Sequence, residues 1–394
     1  MERRNAQSVN TISQHIRIAL ISSVKPSNTS AGQLILNRHL TGSSRIRFYE
    51  PPNLRSSLHP LSLFRRSTSI LKRLGLADLS ENLLLGLSGA WYLPEIKTDS
   101  ASAPDLILTI AHGDLWHVAR RYSVNINKPL VTIFHDWWPL LPNLSSFQRY
   151  RITLQFRRLY QASNLALCVS PGMLSELGPH SNAHVLYPIP SFRTSSRPPA
   201  LSSFSPSDGN YFKVIYFGNL DDYGGMILSL LSLLENHPYI RFEVRGPLPQ
   251  WPSATITRLS EKGLLLPFAP TDSFHQWISQ TNAFLVPQVF HPSDELLMRT
   301  NFPSKIPEMS QYGKPIVVWG PKYASGVLWA QSAESGLCVC DPNPSSVVAA
   351  LENLATSSSL QVTLGTAALI ASNRDFNPLR IQSRFEGLLS AVCG

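Results

Sequence analysis

The chain has 394 residues, 43% of them hydrophobic and 15% charged, which excludes an intrinsically disordered protein and calls for two domains rather than one core. Its formal net charge of +9 suits an anionic surface or an anionic small substrate. No Lys/Arg run interleaved with aromatics, helix-turn-helix or zinc-finger spacing accompanies it, so nucleic acid is not an expected partner. No stretch reaches the roughly 18 uninterrupted apolar residues of a membrane span.

The N-terminus, MERRNAQSVNTISQHIRIALISSV, has two arginines, but its apolar run is short and β-rich and no convincing cleavage site follows. Ile16 to Ser22 therefore reads as a first strand and not as a targeting segment. The loop SSVKPSNTSAGQ comes next, and Gly32 is the residue in it that permits close backbone approach to a ligand; an ordinary turn glycine is the alternative. Further apolar runs of strand length lie at Asp105 to Ile110 (DLILTI), Pro129 to Phe134 (PLVTIF) and Leu165 to Val169 (LALCV). Their apolarity is continuous, as in strands covered on both faces, and longer helical patterns intervene, which predicts parallel crossovers and a doubly wound α/β domain over 1–190.

Directly after PLVTIF stand His135, Asp136, Trp137 and Trp138. A polar pair at the carboxyl end of a buried strand lies where parallel sheets bind ligands, although a structural histidine fits equally. The two tryptophans either stack on a ligand such as a sugar or pack beneath the loop.

Between Pro188 and Asn210 the periodicity breaks into PIPSFRTSSRPPALSSFSPSDGN, and a Ser/Pro-rich linker is expected at 191–210. The α/β rhythm restarts over 211–376 with runs at Phe212 to Phe217, Arg241 to Val244, Ala283 to Val286, Pro315 to Trp319 and Gly336 to Val339. The turn GNLDDYGG, from Gly218 to Gly225, carries glycines suited to a phosphate but is neither GxGxxG nor a P-loop. Residues 377–394 read as an amphipathic helix capped by Asn377 before Pro378, expected to cross back onto the first domain. Cys168, Cys338, Cys340 and Cys393 lack a zinc-like pattern and read as buried, reduced thiols of a cytosolic protein.

The stretch Thr300 to Pro321, TNFPSKIPEMSQYGKPIVVWGP, places Lys305 and Glu308 three residues apart, and Pro303 suits the first turn of a helix. They are either a solvated surface pair or a diphosphate-binding ammonium beside a carboxylate that accepts from a ribose diol.

This segment, Phe302-Pro303-Ser304-Lys305-Ile306-Pro307-Glu308 followed by Tyr312-Gly313-Lys314-Pro315 and a β-branched strand, resembles the donor-binding element of retaining family-four glycosyltransferases of the GT-B fold. PDLILTIAHGDL, KPLVTIFHD, NLALCVSPGM, FGNL and QTNAFLVP resemble the same family along nearly the whole chain. The resemblance implies two Rossmann-like domains facing across a cleft, the acceptor on the first and a nucleotide sugar on the second. It implies sugar transfer from UDP or GDP to a hydroxyl, with retention and without a bound metal or other cofactor; the basic charge and the lack of a span add a glycan or lipid-linked acceptor as the expectation. Glu308 would hold the ribose, Lys305 and the helix start at Ser304 the diphosphate, and His135 with Asp136 would face the transferring sugar. Gly32, Gly218, Asn219 and Arg245 would complete the donor side.

Two elements, covering three positions, depart from the family pattern. Thr300 stands where many members have a second glutamate, and Asn219 and Gly224 stand where many have Arg and Lys, leaving Arg245 or Lys305 as the substitute cation. A sugar-nucleotide epimerase and a non-catalytic binding subunit share the architecture and are the alternatives. The absence of an apolar span together with the basic charge points to a cytoplasmic protein, peripheral on the inner face of an anionic membrane.

Overall fold

The computed structural model describes residues 15–27, 31–51, 70, 103–141, 144–191, 204, 210–221, 223–268 and 271–393. The expected linker at 191–210 lies almost wholly outside the described residues. Phe204 within it is buried, packs edge-on against Phe212 at 5.4 Å, and donates its backbone N–H to Gln361 Oε1.

Among the described residues, two parallel sheets of six strands account for the strand runs seen in the sequence. The first contains β1 (Ile16–Leu20), β2 (Ile46–Tyr49), β3 (Leu106–Ile110), β4 (Leu130–Phe134), β5 (Leu165–Cys168) and β6 (Ala183–Val185), in the order β2-β1-β3-β4-β5-β6. The second contains β7 (Phe212–Phe217), β8 (Ile240–Arg245), β9 (Leu265–Leu266), β10 (Ala283–Pro287), β11 (Ile316–Trp319) and β12 (Leu337–Val339), in the order β12-β11-β10-β7-β8-β9. Every residue of β3, β5, β10 and β11 is buried, which is why those runs lack the alternation of a half-exposed strand.

Helices cover both faces of each sheet. On the first sheet, α2 (Leu115–Asn125), α3 (Ser146–Ala162) and α4 (Pro171–Leu177) enclose a core around Trp116, Phe134, Phe156 and Tyr160. The other face takes Leu36 and Leu40 of α1 (Ala31–Thr41). On the second sheet, α5 (Gly224–Leu234) and α11 (Pro344–Thr356) cover one face and α9 (Lys305–Ser310), α10 (Ser325–Ser332) and α12 (Ser358–Asp375) the other. Helices α6 (Ser253–Glu261), α7 (Thr271–Ser279) and α8 (Glu295–Thr300) complete the second half.

The last helix, α13 (Pro378–Cys393), returns to the first sheet. Asn377 Oδ1 caps it by accepting from the Arg380 N–H at 3.1 Å. Ile381, Phe385 and Leu389 bury themselves among Ile18, Leu108 and Leu167, and Gln382 donates to the His39 carbonyl at 3.0 Å. Burying Phe385 completely is worth about 1.5–3 kcal/mol.

The two halves meet along α4 and α8. A Cβ on Gly172 would stand 1.9 Å from the Arg299 carbonyl oxygen, so glycine is what lets these backbones touch. Beside it, Ser170 Oγ caps α4 by accepting from Met173 N and donates to the Thr300 carbonyl at 2.5 Å. All four cysteines are unpaired, but only Cys168 is buried; Cys338 and Cys340 are half-buried and Cys393 is exposed. The expectation of four buried thiols is corrected on this point, because β12 is an edge strand and α13 exposes its end.

Candidate functional site

In the second sheet the chain leaves β7 towards β8 on one side, while β10 lies on the other, so the carboxyl ends of β7 and β10 flank a topological switch point. A cleft of about 450 Å³ opens there. Tyr216 of β7, Val286 and Pro287 of β10, Gln288 and the run from Asn301 to Lys305 line it, and the first domain contributes Asp136 and Leu141. The site thus lies between the domains, at the place where parallel sheets leave backbone groups free for a ligand.

Lys305 is the first residue of α9, so Pro303 precedes the helix where the sequence placed it in the first turn. Ser304 is the residue before the helix and lines the cleft, but its side chain makes no capping bond. With six residues, α9 contributes little dipole, and the positive charge at this wall is the Lys305 ammonium itself. That ammonium sits 5.9 Å from the centroid of the Tyr216 ring, and the lysine chain crosses directly over Gly218. A Cβ on Gly218 would stand 2.3 Å from Lys305 Cε and 2.7 Å from Nζ, and Gly218 also has φ +132. Gly246 repeats the device beneath it, since its Cβ would stand 2.1 Å from the Gly218 carbonyl oxygen. Two stacked glycines at the ends of β7 and β8 therefore make the room in which Lys305 lies.

The first domain's polar share of the lining is Asp136. Its Oδ2 accepts from His135 Nε2 at 3.0 Å and its Oδ1 from Asn301 Nδ2 at 3.0 Å, while Asn301 Oδ1 accepts from the Trp137 backbone N–H. Burial pushes the Asp136 carboxyl up, but the neighbouring His135 charge and hydrogen bond outweigh it and hold the group below its usual range. His112 stacks on His135 with ring centroids 5.6 Å apart; burial, aided by His135, lowers its pKa to about 4, so it is neutral. His112 Nδ1 is buried with no hydrogen-bond partner among the described residues. One ligand atom from each of His112, His135 and Asp136 lies within 4.8 Å of the others, a spacing that a divalent cation with open positions could use. Trp137 and Trp138 are both buried, so packing beneath the loop is the role the structure gives them.

Other expected residues lie elsewhere. Glu308 does not line the cleft: its oxygens accept from Arg38 Nη1 at 2.5 Å, from the Ser191 backbone N–H at 3.0 and 3.1 Å, from the Ser191 hydroxyl and from Gln311 Nε2. Although it follows Lys305 by three residues, Glu308 reaches the first domain while Lys305 enters the cleft. Arg245 donates to the Pro267 carbonyl at 2.8 Å and lies 4.8 Å from the Trp277 ring. Of the two cations weighed as substitutes in the altered turn, only Lys305 stands over Gly218. The Asn219 side chain accepts from the Asp221 N–H and its carbonyl from the Tyr216 hydroxyl, shaping the turn. Gly32 is in the first turn of α1 and not in the preceding loop, because the helix begins at Ala31. Thr300 is fully buried at the domain seam, its hydroxyl donating to the Leu296 carbonyl.

His112, Asn301, Tyr216 and Gly246 were not singled out from the sequence. The dipeptide His112-Gly113 directly after β3 was the signal available, at the same sheet edge as His135.

No protein-family model and no curated protein sequence matches the chain. Solved structures do match in shape. HepE from Anabaena, solved in complex with UDP and glucose, superposes with a TM-score of 0.61 at 16% identity, covering 96% of this chain and 100% of HepE. Sucrose-phosphate synthase from Thermosynechococcus elongatus gives 0.59 at 14% identity, covering 96% and 99%. A glycosyltransferase from Rickettsia africae gives 0.57 at 11% identity, covering 96% and 98%. With two parallel six-stranded sheets opposed across a cleft, the chain has the GT-B fold of these proteins.

Proposed function

We propose that this protein is a glycosyltransferase that moves a sugar from a nucleotide-diphosphate sugar to a hydroxyl of a glycan or lipid-linked acceptor, with retention and without a metal. The observation that carries the reading is Lys305, an ammonium held over paired glycines at the switch point of the second sheet, in the cleft that Asp136 also lines. HepE, the protein of like fold solved with UDP and glucose, supports a nucleotide sugar as the ligand class.

In this reading the diphosphate lies against Lys305, which stabilises the negative charge that grows on the leaving oxygen. Asp136, oriented by His135 and Asn301, accepts hydrogen bonds from hydroxyls of the sugar. The bond from the anomeric carbon to the phosphate oxygen breaks, and a bond to the acceptor oxygen forms on the same face. The phosphate oxygen takes the acceptor's proton, which requires the acceptor to approach from the leaving-group side and so retains the configuration. Closure of the domains excludes water from the cleft. Glu308 takes the ribose diol by exchanging Arg38 and Ser191 for it. The protein acts in the cytoplasm, peripheral on an anionic membrane; among the described residues no single helix is long and apolar enough to cross one.

A binding-only subunit is the second reading, favoured by the engaged carboxylate of Glu308 and the burial of Thr300. Binding and slow hydrolysis of UDP-, GDP-, ADP- and dTDP-sugars by wild type, Lys305→Ala and Glu308→Ala decide between them. One donor bound and hydrolysed, with hydrolysis lost and binding weakened roughly ten- to a hundredfold in Lys305→Ala, supports transfer. Binding without hydrolysis or transfer supports the second reading, and no binding at all overturns both. Turnover that disappears on chelation and returns with a divalent cation refutes the metal-free part and points to His112, His135 and Asp136.

A further inference from the structure

Helix α3 has two apolar faces. Ile152, Phe156, Leu159 and Tyr160 pack into the first domain, as a surface helix requires. On the opposite side, Phe147 is 68% exposed, Tyr150 63% and Leu154 37%, at spacings of three and four that align them on one stripe. Singly exposed apolar residues are common on soluble proteins, but two large aromatics and a leucine in register are not the solvated face that a soluble helix presents.

The charge on this helix is of one sign. Its sequence, SFQRYRITLQFRRLYQA, has four arginines and no Asp or Glu. Arg157 is committed to Glu176 at 2.7 Å and to the Trp137 ring. Arg151 and Arg158 are exposed on the same side as the stripe, and the Arg151 guanidinium lies 5.8 Å from the Phe147 ring. Aromatic side chains flanked by arginine are what a helix lying in a bilayer interface presents, the rings at the headgroup boundary and the cations at anionic lipids. A second copy of this face would bring arginine against arginine with no carboxylate between, so charge complementarity favours the lipid. The stripe also starts near the cleft: Leu141, 47% exposed, lines the cleft and precedes α3 by a few residues.

We propose that the Phe147-Tyr150-Leu154 stripe of α3, with Arg151 and Arg158, docks this protein on an anionic lipid surface, holding the first-domain side of the cleft at the membrane. The proposal deepens the membrane part of the function proposed above and rests on it only for the identity of the acceptor. Bound this way, the cleft draws its acceptor hydroxyl from the bilayer surface.

The test is flotation of the full chain with vesicles of phosphatidylcholine alone or mixed with phosphatidylglycerol, for wild type, Phe147→Ser/Tyr150→Ser and Arg151→Glu/Arg158→Glu. These side chains are exposed, and unchanged circular dichroism and UDP binding verify the fold of each variant. Wild type is expected to partition to the anionic vesicles, and each double variant to lose about tenfold or more. In a Tyr150→Trp variant, the new indole should shift to the blue on anionic vesicles and be quenched by brominated lipid. Equal partition of wild type to both vesicles, full partition of either double variant, or an effect of the substitutions on sedimenting mass alone each overturns the proposal. Partition is read without nucleotide and UDP binding without lipid, so each reading can fail independently of the other.

Discussion

Gly218→Ala tests whether the second sheet's glycine turn exists to seat Lys305. The new methyl would stand 2.3 Å from Lys305 Cε and 2.7 Å from Nζ, and since these atoms end a flexible chain, the lysine moves and the backbone stays. Two separable costs follow. The backbone at φ +132 is unfavourable for alanine by about 1–3 kcal/mol, a loss of stability that does not involve the lysine. If Lys305 holds the diphosphate as proposed, displacing the ammonium removes a charge-assisted contact worth about 1.5–3 kcal/mol, or roughly ten- to a hundredfold in UDP affinity. Calorimetric UDP binding and thermal unfolding of Gly218→Ala, Lys305→Ala and the double variant form a cycle. Once Lys305 is alanine, Gly218→Ala should still lower the melting temperature but no longer weaken UDP. If Gly218→Ala weakens UDP equally in both backgrounds, the glycine serves the ligand directly and the seating argument is wrong.

Arg38→Ala should lower the melting temperature and tighten UDP binding several-fold, because it removes the strongest competitor for Glu308; weaker binding, seen by calorimetry, would mean that Arg38 and Glu308 serve the ligand together. Gly172→Ala drives a Cβ against the backbone oxygen of Arg299, which cannot rotate away, and should destabilise the seam by about 1–3 kcal/mol, with a larger radius of gyration by small-angle scattering. His112 has its pKa lowered from 6.5 to about 4, so its contribution is complete above pH 6.5 and is lost as pH falls from 6.5 towards 4, where the unfolded chain binds the proton first. The melting temperature of His112→Gln relative to wild type should therefore rise across that window, and a constant difference would show that His112 does not titrate this way. Glu243, buried beneath the half-exposed Lys213 and Arg241, accepts from the buried Trp277 indole, and Glu243→Ala should cost about 1–3 kcal/mol, read by denaturant unfolding, because that indole N–H loses its acceptor.

Much of the fold was legible because the central strands are buried on both faces. LILTI, LVTIF, LALC and IVVW read as continuous runs without a charge, and IRIAL and FKVIYF are each interrupted by a single cation, Arg17 or Lys213. The strands not recognised are β2, β6 and β9, all at sheet edges and only two to four residues long, where half-exposed positions dilute the apolar signal. The site was legible in its parts but not in its joins. Lys305 and Gly218 were each singled out, yet their contact spans 87 positions of chain that no local pattern connects. Glu308 shows the limit most plainly, for the i, i+3 rule puts it beside Lys305, while its partner Arg38 lies 270 residues earlier.

The return of α13 to the first sheet sets the order in which this protein can mature. Ribosomes release β1 to β6 first, but one apolar face of their sheet stays without Ile381, Phe385 and Leu389 until the second sheet has been made. The usual sequence, in which the leading domain finishes before the next begins, is thus reversed. The nascent first domain carries an open greasy face throughout synthesis of the second, a client for holding chaperones. A fragment stopped at the linker would keep that face permanently, so the first domain is better isolated with α13 joined back to it than by simple truncation.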